Sequence, residues 1–247
     1  MTKYVLFDTE TTGNQKEDKI IQIGAMVVGS RGKVDVYDEL CSCDIPIKIE
    51  AMEVHNITPE LLVGKTPFNT TKFYRDLMQL NSEQNYLIAH NIQFDLGMLE
   101  KEGFVNRMKL IDTLRCSKHL FPDSNYHRLQ YFRYSLGLYK KEEAEATKYK
   151  ITIKAHDAIG DVLVMKLLLS ELVSKVKEKY VGVNPMVKLE ELTQTPVVLK
   201  SFKFGKYKGE EIADIARSDA GYIKWMLKSL DLDEDLKYTL EYLLESV

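Results

Sequence analysis

Residues 4–13, YVLFDTETTG, run four apolar or aromatic residues straight into Asp8 and Glu10. Such a run reads as a strand that a fold buries, and carboxylates buried without a partner are costly. Whatever this chain folds into must supply something positive at the end of its first strand: Lys or Arg, a proton, or a metal ion. Asp8 and Glu10 stand at i and i+2, so both point to one face of the strand and Thr9 to the other. Hard divalent cations take carboxylate oxygens, so a same-face pair of acids suits a metal. On this segment alone, a strand running into a polar turn explains the same residues equally well.

Further along, 20–28 (IIQIGAMVV) and 33–41 (KVDVYDELC) read as strands, the latter at an edge. The spacing predicts helices over 70–80, 92–104 and 128–138, with strand character at 85–90 and a strand passing into a helix over 110–121. The Lys- and Glu-rich stretch 139–150 is a solvated helix or a mobile loop, and 157–180 is a long amphipathic helix. A proline-bearing break at 181–197 reads as a linker. It divides a domain at 1–180 from a small one at 198–247, in which FKFGKYKG reads as a hairpin followed by two helices. Strands alternating with helices after three antiparallel-looking opening strands give an α/β domain with a mixed sheet.

Two more segments run an apolar stretch into acids. LIAHNIQFD (87–95) places Asp95 in the first turn of a helix. AHDAIGD (155–161) places His156 ahead of the long helix and Asp161 on its second turn, with Asp157 as the expected N-cap. A helical spacing of five would set His156 and Asp161 roughly 140° apart, so His156 is better placed in the preceding loop. Four acids and a histidine form a coherent set. Paired divalent ions flanked by carboxylates stabilise both oxygens of an in-line phosphoryl displacement, and a histidine titrating near neutrality takes the proton of the attacking water. FGKYKG lacks the spacing of a phosphate-binding Walker loop.

The segments FDTETTG, AHNIQFD and HDAIGD resemble, in this order, the three motifs of the DEDDh (DnaQ-like) 3′-to-5′ exonuclease family. The resemblance implies a ribonuclease-H-like fold, a mixed five-stranded sheet flanked by helices. It also implies that Asp8, Glu10, Asp95 and Asp161 hold two divalent ions, Mg²⁺ or Mn²⁺, with His156 as general base. AMEVHNIT (51–58) resembles the family segment lining the pocket of the 3′-terminal nucleotide, and 202–227 resembles the small α+β domain appended to exodeoxyribonuclease-X-type members. Thr11, Thr12 and Gly13, through backbone groups, with Met52, His55, Asn91 and Phe94, are then the expected nucleotide contacts. Core filling for Met52 and Phe94, and a cap for His55, are the competing structural roles. Asn14 and Gln15 replace the Leu frequent after the first motif and are the candidates to meet a duplex end.

Lys203, Lys206, Tyr207 and Lys208 interleave charge with rings, as a strand of nucleic acid requires, although a small hydrophobic core explains the aromatics too. The lysines at 140, 141, 148, 150 and 154 precede His156, but Glu142, Glu143 and Glu145 dilute them. His90 is expected to be structural, and Asp112 to anchor the turn into its helix. The expected partner is DNA, as a single strand or a duplex 3′ end, with release of nucleoside 5′-monophosphates in repair or end processing. RNA, or a DNA polymerase or repair protein as partner, are the alternatives. The net charge of −3 does not by itself mark a nucleic-acid binder. No stretch approaches the roughly 18 apolar residues of a membrane span. No secretory signal opens the chain, and Cys41, Cys43 and Cys116 lack zinc-type spacing, so a cytoplasmic protein with reduced thiols is expected.

Overall fold

The apolar opening runs pair as antiparallel strands, β1 (Tyr4–Thr11), β2 (Ile20–Val28) and β3 (Val34–Leu40). On the other side of β1 lie β4 (Tyr86–Ala89) and β5 (Lys109–Asp112), both in parallel register. The sheet order is β3-β2-β1-β4-β5, the expected mixed five-stranded sheet. The computed structural model describes residues 1–29, 32–153 and 157–245. They form two compact units, Met1–Thr193 and Gln194–Val247.

In the first unit, period-two alternation along β1 sends side chains into two different cores. Val5 and Phe7 join Ile23, Ala25 and Leu87 beneath α2 (Lys72–Leu80) and α3 (Ile92–Lys101). Leu6 joins Met26, Ile88 and Ile111 beneath α4 (Thr113–Leu120), α5 (Leu129–Ser135) and α7 (Ala158–Lys179). Asp8 and Glu10 share the parity of Leu6, so the pleat turns them toward α7. Between these elements lie α1 (Ile49–His55) and α6 (Tyr139–Tyr149). The Lys/Glu stretch is therefore helical, yet Glu142 within it is buried, gripped by Arg133 through two hydrogen bonds of 2.6 Å each.

Residues 181–197 do not behave as a linker throughout. Pro185–Gln194 form a helix, α8, whose Leu189 and Leu192 are buried in the first unit's core. Pro185 opens that helix, where its missing N–H is harmless, and marks a start where the sequence pattern looked broken. Thr193 Oγ1 accepts from the Asp112 N–H at 2.9 Å, which ties the helix to the end of β5.

The second unit packs α9 (Ile212–Ser218), α10 (Ala220–Ser229) and α11 (Glu234–Glu245) around Phe202, Ile223, Met226 and Leu240. The hairpin expected over FKFGKYKG is reduced, among the described residues, to one bridge between Ser201 and Glu211. Gly205 and Gly209 take φ of +80° and +90°, so the segment bends where a ladder would need extended backbone.

Candidate active site

The end of β1 is where the acids gather. Asp8 and Glu10 keep part of their surface exposed, whereas Asp95 is only 3% exposed. Thr9, on the opposite face of β1, donates to Asp95 Oδ1 from its backbone N–H at 3.1 Å and from its hydroxyl at 2.7 Å. The residue between the two strand acids thus holds the third. Asp161, four residues into α7, accepts from Gln130 Nε2 at 2.6 Å. Gln130 in turn accepts from Arg133 Nη1 at 3.3 Å, which links Asp161 to the buried Arg133–Glu142 pair.

Helix α7 reaches the sheet because β2 has no side chain at Gly24, the residue paired with Asp8. A Cβ there would lie 2.3 Å from both the Ala158 carbonyl carbon and the Ile159 nitrogen. Gln22 completes the seat: its Nε2 donates to Asp157 at 2.8 Å and to Asp38 at 2.9 Å. Asp157 occupies the expected N-cap position, but its carboxylate accepts from Gln22 and not from its own helix.

Electrostatically the strand acids are surrounded, among the described residues, mainly by other carboxylates. Burial first, then the charges of Asp95, Glu10 and Asp161, pushes Asp8 well above the usual carboxylate range. Glu10 is driven up to about 8 by burial and by Asp161, Asp95 and Asp157. Burial raises Asp95 to about 7 despite the opposing Thr9 hydrogen bonds. Among the described residues, the charged neighbours that act most on Asp8 and Glu10 are carboxylates. Protons satisfy such a group at low pH, and a divalent cation satisfies it at neutral pH, so the donor chemistry fits hard metal ions. Among the described residues no three His, Cys, Asp or Glu side chains stand in position to hold an ion. Asp95 and Asp161 are turned instead to the donors of Thr9 and Gln130.

Beside the acids opens a cavity of about 270 Å³ lined by Thr9, Glu10, Thr11, Gly13, Asn14, Lys48, Glu50, Ala51, Val54, His55 and Phe94. The expected nucleotide contacts Thr11, Gly13, His55 and Phe94 are thus assembled beside Glu10. His55 accepts the Ile57 N–H at Nδ1 (2.9 Å), so its Nε2 carries the proton and donates to Thr11 O (3.2 Å). Burial lowers its pKa and keeps it neutral. Thr12 stands apart from the cavity lining. It is fully buried, its N–H donates to Lys19 O, its carbonyl accepts from the Lys48 N–H, and its hydroxyl donates to Asp18 at 2.8 Å. Its N–H and hydroxyl are thus committed inside the fold, and it is not among the residues that line the cavity. Met52 packs toward Ile21, Ile47, Ile57 and Leu62, and Ala51 and Val54 supply the apolar wall.

Lys48 is a lining residue that sequence reasoning missed. Its ammonium meets the buried Asp18 at 2.6 Å, and that pair packs under Gly13, where a Cβ would sit 2.6 Å from Asp18 Oδ2. Asn14 is exposed at the cavity rim and accepts from Gln15 Nε2 at 2.7 Å, and Gln15 O accepts from Lys101 Nζ at 2.8 Å. Asn91 caps α3 in the left-handed region (φ 77°), its N–H donating to Asp112 Oδ1, and its side chain is exposed. Asp112 also accepts from the N–H groups of Leu114 and Arg115, the expected anchoring role. His90 is structural as expected: its nitrogens engage Thr113 Oγ1 and His127 O, and burial lowers it to about 4. His156 and Lys154 lie outside the described residues.

Residues 5–169 match the family model described as Exonuclease. The chain belongs to the exonuclease family. Residues 202–231 match a second model, Exodeoxyribonuclease X-like C-terminal. The chain is 27% identical to Exodeoxyribonuclease 10 of Escherichia coli K12 over 243 residues, 98% of each chain. It is 30% identical to DNA polymerase III PolC-type of Bacillus subtilis over 71% of this chain but only 12% of that one. Among solved structures, Exonuclease X in complex with 5′ overhanging duplex DNA superposes with a TM-score of 0.51 at 21% identity. It covers 77% of this chain and 99% of that one, and shows a shared fold. The mixed sheet is thus the ribonuclease-H-like sheet of these nucleases, and the chain is a 3′-to-5′ exonuclease of a family that uses divalent metal ions.

Proposed function

We propose that this exonuclease hydrolyses DNA from the 3′ end, releasing nucleoside 5′-monophosphates in repair or end processing. The observation that carries the reading is the gathering of Asp8, Glu10, Asp95 and Asp161 at one end of β1, beside a cavity of about 270 Å³. That volume lies just below the usual ligand-pocket range of about 300–1,000 Å³, which suits one terminal nucleotide and not a duplex. The relative covering 98% of this chain is named for DNA, whereas the polymerase resemblance is confined to a small part of that protein. The exodeoxyribonuclease reading is therefore favoured over a proofreading subunit.

In this mechanism Asp8, Glu10, Asp95 and Asp161 would hold two divalent ions, Mg²⁺ or Mn²⁺. Bound there, such ions would supply the positive charge that neutralises the acids and stabilises charge developing on the phosphoryl oxygens. His156, two residues ahead of α7, takes a proton from the attacking water. Thr9 and Gln130 fix the orientation of Asp95 and Asp161. Phe94, Ala51 and Val54 offer apolar surface to the terminal base, and Lys48 places a cation at the cavity wall. No helix among the described residues is long and apolar enough to cross a membrane. The three cysteines are free thiols, consistent with work in the cytoplasm.

Digestion of a 5′-labelled single strand, in DNA and RNA versions and with the DNA also as a duplex, tests the substrate. DNA shortening stepwise from the 3′ end is the expected outcome. Shortening of RNA alone keeps the reaction and overturns the substrate.

A further inference from the structure

The second unit carries a surface that phosphodiester hydrolysis at the carboxylates does not use. Trp225, the one tryptophan of the chain, is 51% exposed, and Phe204 is 44% exposed. Trp225 lies among other rings. Trp225 sits 5.6 Å from Tyr222 at an interplanar angle of 31°, and Tyr222 meets Tyr207 edge-on at 5.0 Å. Tyr222, Trp225 and Lys228 recur at three-residue intervals on α10 and so share one helical face.

The loop that completes this surface is fixed in place. The Tyr207 hydroxyl donates to Asp219 Oδ2 at 2.7 Å, and the Lys206 N–H donates to the Tyr222 hydroxyl oxygen at 3.3 Å. Gly205, at φ +80°, lies so close that a Cβ would stand 2.5 Å from that same hydroxyl. Lys206 Nζ rests 4.5 Å from the Tyr207 ring centroid and 3.2 Å from Asp219 Oδ2. Lys203, Lys208 and Lys224 are exposed. Charge is segregated along the unit. Residues 200–228 carry 7 Lys/Arg against 4 Asp/Glu, and residues 229–247 carry 1 against 6.

Exposed rings on a rigid base, in the basic part of an otherwise acidic unit, match the requirements of unpaired nucleic acid. Its bases stack on any aromatic face and its phosphates draw lysines, whereas a duplex keeps its bases inside. A protein segment would use the rings without needing the lysines. We propose that Trp225, Phe204 and the lysines at 203, 208, 224 and 228 form a binding platform for single-stranded nucleic acid, additional to the carboxylate centre. The proposal rests on the reading of the chain as an exonuclease acting on nucleic acid. A platform of this kind holds the strand between cleavage events.

Because Trp225 is the one tryptophan, its fluorescence reports on the platform alone. The full chain in EDTA is titrated with a 5′-labelled oligothymidylate, reading Trp225 emission and label anisotropy together. Emission is expected to fall in step with the anisotropy rise. Trp225→Ala should weaken the Kd about tenfold, while Trp225→Phe retains most of the affinity. The pair Lys203→Glu and Lys208→Glu should flatten the dependence of log Kd on log salt by about 1.4. Turnover of a dinucleotide with Mg²⁺ should stay at the wild-type value in every variant. Unchanged emission at saturating anisotropy, or wild-type affinity in Trp225→Ala, overturns the platform and leaves the face to a protein segment. Wild-type chain that cleaves no strand sinks the exonuclease reading instead, so the two failures are distinguishable.

Discussion

Gly24→Ala is the most informative single substitution, because one methyl group there tests how the site is assembled. The added Cβ would lie 2.3 Å from two backbone atoms of α7 and 2.6 Å from the Ala158 carbonyl oxygen, where ordinary contact begins at 3.4 Å. These neighbours are backbone, so no rotamer change relieves the clash. Either β2 or the start of α7 must yield by roughly 1 Å. Overpacking of this kind costs about 1–3 kcal/mol. For a protein of this size that is a drop in Tm of roughly 2–12 °C. The larger effect falls on catalysis. Asp161 is three residues beyond Ala158, and Asp8 is the strand partner of Gly24. If these carboxylates share ions as proposed, a displacement of about 1 Å between them should lower the rate by roughly 10²-fold. The assay is turnover of a labelled single strand with Mg²⁺, beside a thermal melt. Gly97→Ala in α3 is the control for stability, since nothing lies within 4 Å of its added Cβ and it should gain about 1 kcal/mol. Wild-type turnover and Tm in Gly24→Ala would refute the claim that the bare strand seats the helix.

The remaining predictions concern charge. Asp8→Asn should raise the Tm in EDTA at pH 8, by relieving repulsion among buried acids, while abolishing cleavage. A lower Tm would show that Asp8 is held by a partner in the metal-free protein. Native pKa values raised to about 8 for Glu10 and about 7 for Asp95 mean that the folded state binds more protons than the unfolded one from about pH 4 upward. The metal-free protein should therefore lose stability as pH climbs from 5 to 8, and Mg²⁺ should reverse that slope; melts across this range decide it. Arg133→Ala strips the partner from buried Glu142 and should destabilise by about 3–5 kcal/mol in a denaturant titration. Gln130→Ala should instead leave stability nearly unchanged and weaken Mn²⁺ binding in a titration, because it removes the 2.6 Å hydrogen bond that orients the Asp161 carboxylate.

Much of the site was legible because strand alternation is strict. Asp8 and Glu10 share a face wherever β1 is a strand, and an acid in the first turn of α3 follows from a helix start that sequence marks well, whereas Asp161, expected on the second turn of its helix, lies in the first turn of α7. What escaped was what depends on meetings across long stretches of chain. Gly24 reads as an ordinary strand residue until Ala158 is placed against it. Glu142 sits in a run of charges and looks solvated, and only the fold brings Arg133 to it. Thr12 lies beside Asp8 and Glu10 in sequence but is turned inward by Asp18 and Lys48, which a linear motif does not show. The helix at 185–194 was hidden by the proline that begins it. In the second unit, the turn chemistry of Gly205 and Gly209 outweighed the alternation of rings and lysines, so the expected hairpin became a bent loop against Tyr222.

The central claim is that the acids at the end of β1 cleave DNA through divalent ions. Its most direct test is a 5′-labelled single strand incubated with wild-type chain, Asp8→Ala and Asp161→Ala, each with Mg²⁺ and with EDTA, alongside circular dichroism of each protein. The account predicts a ladder shortening from the 3′ end only for wild type with Mg²⁺, and folded but inactive variants. A ladder that persists in EDTA, or in either folded variant, would contradict it.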